Sequence, residues 1–366
     1  MAKRIIMAGG GTGGHIFPAI AIANALKKQD SEVEILFVGA RGKMEMEKVP
    51  QAGYKIEGLD IAGFNRSSLI KNLGLPFKLL KSFFQVKRIL KHFNPDAVVG
   101  VGGYSSFPVL RYAQWKGIKT FIHESNSFAG KSNMLLGKKA TKVFVATDGM
   151  EKFFDAEKLV ITGNPVRPAI AAVAGIDKAT ALRAFGLSTE KPTVLVVGGS
   201  LGARSINEAI DKHLDELVGA GAQLIWQTGK LYVQKAGERT KGVQGVWASD
   251  FISEMDKAYA AADVVISRSG AMSVAELCVA QKPTVFVPYP FAAEDHQTVN
   301  AMHLVNKGAA LMVRDSEAME KVVPMVLDLV KDEGKRNSLK IEISKYAVQN
   351  ADAHVALEIL KSIDQP

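Results

Sequence analysis

Short apolar runs rich in β-branched residues alternate with helical segments along most of the chain. This alternation is typical of parallel sheets with helices on both faces, so the sequence predicts an α/β fold. The predicted strands of the first half are 4–8, 34–38, 97–101, 120–123, 142–145 and 159–161. Those of the second half are 193–197, 223–227, 243–248, 263–267, 284–287 and 309–313.

A strand, a glycine-rich loop and a helix follow one another at the start of each half, at residues 5–15 and again at 194–204. We interpret this as a structural pseudo-repeat, and 366 residues suggest two domains at roughly 150 residues each. Pro165 and Pro168 bias the residues before them away from helix. The expected domains are therefore 1–163 and 171–337, joined by a linker at 164–170. The apolar spacing of the C-terminal helical segment at 338–366 lets it pack on either domain.

Composition narrows the classes of function. Hydrophobic residues make up 47% of the chain and charged residues 23%, which is typical of a fully folded globular protein. The one cysteine, Cys278, rules out an internal disulfide and is expected to be buried in a reducing compartment. No signal-peptide pattern is recognised, and no uncharged apolar run approaches the ~18 residues of a membrane span. The net charge of +9 suggests an anionic partner.

The first glycine-rich loop, from Gly9 to His15, follows a strand and opens a helix. Free backbone N–H groups and the positive end of the helix favour an anion there. The loop matches G-x-G-x-x-G, but the second strand runs into Arg41 without the acidic residue that would hold a ribose. NAD is therefore disfavoured, and NADP stays an alternative in which Arg41 meets the 2′-phosphate. A further alternative is that the glycines serve only a tight turn.

Two more glycine-rich loops follow predicted strands. The loop at 100–104 lies in the same half as the first, and two such loops on one sheet edge suggest a diphosphate-sized anion. The loop at 198–204 occupies the matching place in the second half, where Ser200 can donate a hydroxyl to a phosphate. These positions predict anion sites that face each other across a cleft.

Polar groups follow two other predicted strands of the second half. Residues 267–276 form a strand, a small-residue turn and a helix start, which offers N–H groups to phosphate. Glu276 can accept hydrogen bonds from a ribose diol; otherwise it is a surface glutamate of the kind favoured near a helix N-terminus. Residues 294–297 offer carboxylate and amide groups suited to sugar hydroxyls.

In order and spacing, these motifs together resemble the bacterial MurG family of peptidoglycan N-acetylglucosaminyltransferases over nearly the whole chain. The segments that carry the resemblance are 9–15, 102–104, 123–126, 163–167, 198–200, 269–276, 295–297 and 300–301. The resemblance implies a GT-B fold, with two Rossmann-like domains whose parallel sheets face each other across a cleft. It also implies the inverting transfer of N-acetylglucosamine from UDP-N-acetylglucosamine to the 4-hydroxyl of N-acetylmuramic acid in undecaprenyl-pyrophosphoryl-muramoylpentapeptide, which converts lipid I to lipid II.

Carried over by position, the resemblance implies a role for several residues. The lipid-linked acceptor belongs to the first domain, with its diphosphate at Gly102, Gly103 and Tyr104. In the second domain the backbone of Ile252 contacts uracil and Glu276 contacts the ribose. Ser125 and Leu201 stand where many members of the family have glutamine, and neither receives a role. The implied donor-binding set is Thr12, Gly13, Gly14, Asn126, Arg167, Ser200, Ile252, Ala271, Met272, Ser273, Val274, Ala275, Glu276 and Gln297.

An inverting displacement needs a base for the acceptor hydroxyl and a means to stabilise the departing UDP. His15 is the first candidate base, because a helix N-terminus favours a neutral imidazole, and Glu124 is the second. The remaining alternative makes His15 a structural donor to phosphate. Since the chain has no Asp-x-Asp motif, helix ends and Arg167 are expected to stabilise UDP, with no metal and no cofactor. Glu45-x-Glu47, the nearest mimic of that motif, is interpreted as a solvated helix face.

Residues 61–95 contain seven lysines or arginines and no acidic residue. A helix is predicted at 77–93, with Phe77 and Phe84 outside the apolar stripe that should face the core. Aromatic side chains among cations suit an anionic lipid surface, so a peripheral position on the cytoplasmic face of the cell membrane is expected. Alternatively, both phenylalanines pack under the loop at 65–76. The core stripe is Leu79, Leu80, Phe83, Val86, Ile89, Leu90 and Phe93, and the expected membrane contacts are Phe77, Phe84, Lys81, Arg88 and Lys91.

The expected partners are UDP-N-acetylglucosamine, the undecaprenyl-linked acceptor, an anionic membrane surface, and proteins of wall synthesis and division. Nucleic acid is not expected, because the basic segment matches no known nucleic-acid-binding module. Three other functions stay open. They are a GT-B transferase with another lipid acceptor such as a diacylglycerol, an NADP-dependent oxidoreductase, and a nucleotide-sugar binding module without turnover.

Overall fold

The computed structural model describes residues 2–63, 74–199 and 201–365. Internal contacts divide the chain into two compact units, one of Met1–Val166 with Asn350–Pro366 and one of Arg167–Gln349. The division falls inside the stretch expected to be the linker. The C-terminal helical segment is itself divided, since its last residues belong to the first unit and the others to the second.

The first unit contains a parallel sheet with the spatial order β3-β2-β1-β4-β5-β6-β7 in the described residues. The chain moves outward from β1 to β3 and then starts again at β4, so the switch point of this Rossmann-like sheet lies between β1 and β4. Ligands of open α/β sheets bind outside the carboxyl ends of the strands at such a point. The strands are β1 (Arg4–Ala8), β2 (Glu34–Ala40), β3 (Lys55–Leu59), β4 (Ala97–Gly100), β5 (Lys119–Glu124), β6 (Lys142–Val145) and β7 (Leu159–Ile161).

Helices cover both faces of this sheet, because the strand residues are apolar on both sides. Ile5 and Met7 of β1 join a core cluster with α1, whereas Ile6 and Ala8 join a cluster with α3, α4 and α5. These helices are α1 (Gly13–Gln29), α2 (Glu45–Gln51), α3 (Leu75–Phe93), α4 (Ser106–Trp115) and α5 (Lys131–Gly137).

The second unit repeats this design in a sheet with the order β10-β9-β8-β11-β12-β13. Its switch point lies between β8 and β11, which pair in parallel register. The strands are β8 (Thr193–Val197), β9 (Gln223–Gln227), β10 (Val246–Ser249), β11 (Val264–Ser267), β12 (Thr284–Phe286) and β13 (Leu311–Met312). The helices are α6 (Pro168–Ala171), α7 (Lys178–Ala184), α8 (Arg204–Lys212), α9 (Leu214–Gly219), α10 (Val233–Thr240), α11 (Met255–Ala261), α12 (Ala271–Val279), α13 (His296–Val305), α14 (Ala318–Lys331) and α15 (Glu333–Ser344).

The last helix, α16 (Ala351–Asp364), returns to the first unit and packs on α1. The break before it falls at Asn350, whose φ of +58° is left-handed. Lys142 pairs with Glu358 of α16 at 2.6 Å, and Lys119 donates to the carbonyl of Ser362 at 2.8 Å. Cations near the last carbonyls of a helix stabilise its C-terminus.

Three details differ from the sequence-based expectation. The edge strand β3 was not predicted, because its Lys-Ile-Glu-Gly-Leu sequence places exposed residues between partly buried ones. β10 begins three residues later than predicted, after Gly245 with φ +80°. β13 spans two residues where five were expected.

Candidate active site

The glycine-rich loops lie at the two switch points. In the first unit they follow β1 and β4, at residues 9–12 and 101–105. In the second unit the glycine-rich loop follows β8, and the small-residue turn at 268–270 follows β11. Because neighbouring parallel strands end at the same edge, the two loops of each unit lie side by side. The first unit thus brings together Thr12, Gly13, Gly14, His15, Gly102, Gly103 and Tyr104, with Glu124 and Asn126 at the end of the next strand. The second brings together Arg167, α12 and the loops after β8 and β12, whereas Ser200 lies outside the described residues.

The two loops of the first unit pack directly on each other. The Gly10 N–H donates to the Gly102 carbonyl at 3.4 Å. A Cβ atom on Gly103, whose φ is +85°, would lie 2.4 Å from the Gly10 carbonyl oxygen, and one on Gly102 would lie 2.8 Å from the His15 ring. Glycine is therefore required for the loops to approach each other and the histidine.

The interpretation of Glu45 as part of a solvated helix face is wrong. The side chain is 1% exposed and lies at the start of α2, pointing into the first glycine-rich loop. Its Oε2 accepts the Gly11 N–H at 2.9 Å and its Oε1 accepts the Ala40 N–H at 3.0 Å. These charge-assisted bonds offset the cost of burying a carboxylate. Glu47, two residues further along α2, is exposed as expected.

His15 lies in the first turn of α1, after the N-cap residue Thr12. Its Nδ1 is 3.1 Å from the carbonyl oxygen of Gly10. Because a carbonyl oxygen only accepts, Nδ1 carries the proton in this bond, and in a neutral imidazole Nε2 is then the acceptor nitrogen. This tautomer suits a general base.

The second candidate base, Glu124, is 4% exposed at the end of β5. Its Oε1 accepts from the backbone and side-chain amides of Asn126 at 3.0 and 3.2 Å. Its Oε2 accepts from Gly130 N at 3.0 Å and Asn133 Nδ2 at 2.8 Å. Four bonds match the roughly four acceptor positions of a carboxylate, so Glu124 is placed to orient Asn126.

His123, beside Glu124, is fully buried. It belongs to the segment 123–126 that carries the family resemblance, but no role was expected for it. Its Nε2 donates to the Gly163 carbonyl at 3.2 Å and its Nδ1 accepts from the Ser125 hydroxyl at 3.3 Å. Burial, and to a lesser extent the charge of His15, lower the pKa of His123 to about 4, against the raising effect of the Gly163 bond. His123 is therefore a neutral structural group at working pH.

Tyr104 follows the second loop and completes the set expected at the acceptor diphosphate. Its hydroxyl is buried, and among the described residues no hydrogen-bond partner for it is found. Burial, and next the charge of Glu45, raise the pKa of the Tyr104 phenol above its usual value. Tyr104 is thus a neutral donor close to both glycine-rich loops.

In the second unit, the loop after β8 packs against the turn that follows β9. A Cβ atom on Gly202 would lie 2.2 Å from the Thr228 carbonyl oxygen, and Gly202 N donates to the Gly199 carbonyl at 2.9 Å. The Gln227 amide also donates to that carbonyl, at 3.1 Å. Gly199 has φ +87°, and an added Cβ there would meet no atom within 4 Å among the described residues beyond its chain neighbours.

Two residues that sequence analysis treated separately, Arg167 and Glu276, form a bidentate ion pair. Arg167 Nε lies 2.8 Å from Glu276 Oε1, and Nη2 lies 3.0 Å from Oε2. The Tyr259 hydroxyl also donates to Oε2, at 3.3 Å. Burial tends to lower the pKa of Arg167, but its bond to Glu276 raises it. The alternative in which Glu276 is a surface glutamate is wrong, since the residue is 7% exposed.

Gln297 lies in the second position of α13 and is tied to the loops after β11 and β12. Its side-chain oxygen accepts the Tyr289 N–H at 3.0 Å, and its backbone carbonyl accepts the Ser269 hydroxyl at 2.8 Å. Asn300 donates to the Ser269 carbonyl at 3.2 Å. The amide nitrogen of Gln297 is therefore the end suited to donate to a sugar hydroxyl. Ile252 lies in the loop after β10 and is 2% exposed.

Sequence analysis assigned no role to Arg268, which holds the loops of the second unit together. Its Nη1 donates to Asp315 at 2.6 Å and to the carbonyls of Val287 and Pro288 at 2.9 and 3.1 Å. Its Nη2 donates to the Ser205 hydroxyl at 3.1 Å. The signal was present, since Arg268 directly follows β11 at the switch point, but its partner Asp315 is distant in sequence.

An exposed apolar surface lies on α3 and α4 of the first unit. Phe77 and Phe84 are 78% and 65% exposed, as expected, and Trp115, which sequence analysis did not single out, is 82% exposed. Leu80 was expected in the core stripe but is 57% exposed. Lys81 is paired with Asp60 at 2.9 Å. A groove of about 820 Å³ in this surface is lined by Leu80, Phe83, Phe84, Lys87, Arg111, Tyr112, Trp115 and Lys116.

No helix in residues 2–63, 74–199 and 201–365 has the length and apolar character needed to cross a bilayer. In the same residues, no group of three or more His, Cys, Asp and Glu side chains is arranged to hold a metal ion.

Family models match both units. The N-terminal domain model of glycosyltransferase family 28 matches residues 5–145, and its C-terminal domain model matches residues 193–355. The class of protein that the fold and these matches define is thus a glycosyltransferase.

Arg41, which the NADP alternative needed for a phosphate, is instead paired with Asp60 at 3.0 Å.

Individual relatives are similar over the whole chain. The UDP-N-acetylglucosamine–N-acetylmuramyl-(pentapeptide) pyrophosphoryl-undecaprenol N-acetylglucosamine transferase of Phocaeicola vulgatus is 50% identical, covering 99% of this chain and 97% of that protein. The transferase of the same name from Parabacteroides distasonis is 51% identical, covering 99% of each. The crystal structure of MurG from Acinetobacter baumannii has a TM-score of 0.79 at 30% identity, over 98% of this chain and 99% of that one. The chain belongs to glycosyltransferase family 28 and, within it, to the MurG family of N-acetylglucosamine transferases.

Proposed function

We propose that this chain transfers N-acetylglucosamine from UDP-N-acetylglucosamine to the 4-hydroxyl of N-acetylmuramic acid in undecaprenyl-pyrophosphoryl-muramoylpentapeptide. This step converts lipid I to lipid II in peptidoglycan synthesis. The observation that carries the proposal is the similarity at about half identity, over 99% of the chain, to transferases whose names state this donor and acceptor.

The second unit is proposed to hold the donor. The N-terminus of α12 offers backbone N–H groups, and its partial positive charge stabilises the diphosphate as UDP departs. Glu276 accepts from the ribose and also fixes Arg167, whose guanidinium retains N–H groups beyond the two used in the pair. The backbone of Ile252 contacts the uracil. The phosphate and the sugar are contacted by Ser200, Gln297 and Asn126.

The first unit is proposed to hold the acceptor and to supply the base. Gly102, Gly103 and the buried hydroxyl of Tyr104, for which the described residues offer no partner, suit a diphosphate. A buried donor left unpaired costs about 1–3 kcal/mol, which a ligand oxygen that accepts from it would remove. His15 takes the proton from the 4-hydroxyl at Nε2, since its Nδ1 is committed to Gly10. Glu124 has its acceptor positions filled and orients Asn126.

The test is an incubation of the purified chain with UDP-N-acetylglucosamine and a short-chain lipid I analogue in detergent. We expect equimolar UDP and a β-linked disaccharide. A parallel reaction with diacylglycerol tests the other lipid acceptor, and a reaction without acceptor measures donor hydrolysis. Donor consumption only with diacylglycerol, or UDP release without disaccharide, would refute the proposal.

The chain is further proposed to dock peripherally on anionic membrane at the cytoplasmic face, through the exposed surface on α3 and α4. Burying a phenylalanine contributes about 1.5–3 kcal/mol, and each nearby cation up to about 1 kcal/mol. Phe77, Phe84 and Trp115 supply the apolar part. Arg88 and Lys91 are exposed cations on α3, whereas Lys81 forms an ion pair with Asp60.

Replacing Phe77 and Phe84 with aspartate together should weaken binding to phosphatidylglycerol vesicles, measured by co-sedimentation at low salt. Ile341→Asp is the matched control, because Ile341 is 60% exposed on α15 of the second unit. Equal sedimentation of the double variant and the control would reject this surface as the docking site, provided both variants keep the parent melting temperature.

A further inference from the structure

One peptide group of the first glycine-rich loop is hydrogen-bonded at both ends to ionisable side chains. The Gly11 N–H of the Gly10–Gly11 peptide donates to Glu45 Oε2 at 2.9 Å. The Gly10 carbonyl of the same peptide is 3.1 Å from His15 Nδ1. Glu45 and His15 are thus connected through a single amide.

We propose that Glu45 is a positioning residue that acts on His15 through the Gly10–Gly11 peptide: its carboxylate fixes the Nδ1–H tautomer and raises the basicity of Nε2. The proposal rests on the function proposed above, in which His15 is the base. A negative charge at the N–H end polarises the amide, which makes its carbonyl a stronger acceptor for the imidazole proton. Carboxylates that orient catalytic or metal-bound histidines directly have the same effect on basicity.

The surroundings of Glu45 form a site built for its side chain. A Cβ atom on Gly10 would lie 2.2 Å from Glu45 Oε1, and one on Gly39 would lie 2.5 Å from Glu45 Cγ. Two glycines from separate segments therefore leave room for this one side chain. With the second bond to Ala40 N, the carboxylate is held at both oxygens. A glutamate serving only to begin α2 would not require this arrangement.

Other titratable groups also face the histidine and its loop. Tyr104 follows β4, and burial together with the charge of Glu45 raises the pKa of its phenol, so it is neutral in the working pH range. His123 at the end of β5 is neutral as well, because burial lowers its pKa to about 4. Of Glu45, Tyr104 and His123, only Glu45 brings a charge to His15 near neutral pH.

The test uses Glu45→Gln, which keeps the shape of the side chain and removes its charge, and Glu47→Gln as a matched control on the same helix. Loss of the charge disfavours the imidazolium, so the acidic limb of the kcat/KM profile, measured with the detergent-soluble acceptor, should move to lower pH. Turnover at the optimum should fall on the order of tenfold, less than the 10²–10⁴-fold cost of removing a general base. Glu47→Gln should leave both unchanged. Glu45→Asp should keep the wild-type limb, since the charge is retained.

A second measurement is spectroscopic. In ¹⁵N spectra of the histidine-labelled wild-type chain, with the His15 signal assigned from His15→Gln, neutral His15 should carry its proton on Nδ1. An Nε2–H tautomer, or a His15 titration midpoint that is the same in wild type and Glu45→Gln, would overturn the proposal. These readouts are independent of turnover, so they separate failure of this link from failure of His15 as the base.

Discussion

The two units begin with the same strand, glycine-rich loop and helix, yet the loops are occupied differently. In the first unit a side chain of the protein, the Glu45 carboxylate, accepts the Gly11 N–H of the loop. In the second unit the bonds described in the loop after β8 are neutral, from Gln227 and Gly202 to the Gly199 carbonyl. Among the described residues, an added Cβ on Gly199 would meet no atom within 4 Å beyond its chain neighbours.

The same strand–loop–helix arrangement therefore serves two purposes in the two units. A loop whose donors face an internal carboxylate is held rigid and can position a side chain, here His15. A loop that keeps an open side remains available to an external anion. We therefore expect damage to the first loop to lower kcat, and damage to the donor site of the second unit to raise the KM for the donor.

The largest expected effect is on turnover. His15→Ala removes the proposed base, so kcat at saturating donor should fall by about 10²–10⁴-fold, whereas the donor KM changes little. Glu124→Ala should cost less, because it removes the hydrogen bonds from Asn126, Gly130 and Asn133 but leaves the proposed base in place. His354→Ala, in the first turn of α16, is the control for loss of a histidine near a helix start. Near-normal turnover in both His15→Ala and Glu124→Ala would show that neither is the base.

The next effect concerns pH and stability, and it follows from His123 in the first unit. Burial lowers the pKa of folded His123 to about 4, whereas an unfolded histidine has its ordinary value of 6.5. Between these values the unfolded chain binds the proton and the folded chain does not. The free energy of unfolding should therefore fall by about 3 kcal/mol as pH drops from about 6.5 to about 4.

Chemical denaturation at a series of pH values measures this slope. In His123→Gln the part of the slope due to this histidine should disappear, whatever the absolute stability of the variant. His354→Gln should keep it, because His354 is exposed. An unchanged slope in His123→Gln would contradict the assignment of a depressed pKa to this residue.

A matched pair of glycines tests whether the loop after β4 in the first unit is packed more tightly than the loop after β8 in the second. Gly103 and Gly199 have nearly the same left-handed φ, +85° and +87°, so each alanine variant bears a backbone cost of about 1–2 kcal/mol. Gly103→Ala also forces a Cβ to within 2.4 Å of the Gly10 carbonyl oxygen, which adds about 1–3 kcal/mol. Thermal melting should place Gly103→Ala clearly below Gly199→Ala. Equal melting temperatures would mean that the first loop is no more tightly packed than the second.

The sequence predicted what depends on local pattern. The strand–loop–helix repeats, the exposed Phe77 and Phe84, and the fold class all follow from periodicity and glycine spacing, and the structure confirms them. It did not predict the burial of Glu45, because that depends on Gly10 and Gly39, which only the folded chain brings to the same place. Leu80 was misplaced for a related reason: a helical wheel gives the width of an apolar stripe but not the width of the surface that covers it.

The pairing of Arg167 with Glu276 is a further contact between residues distant in sequence. Its loss is expected to have the smallest of these effects, and it tests whether the second unit binds the donor. Lysine keeps the charge but lacks the planar fork that meets both carboxylate oxygens, so Arg167→Lys should leave Glu276 less well oriented for the ribose. We expect the donor KM to rise about tenfold, or about 1.4 kcal/mol, with kcat changed much less. Tyr259→Phe, which removes only the 3.3 Å bond to Glu276, should raise it less than Arg167→Lys does. A rise in the acceptor KM instead of the donor KM would contradict the assignment of donor binding to the second unit, and with it the division of labour between the two loops.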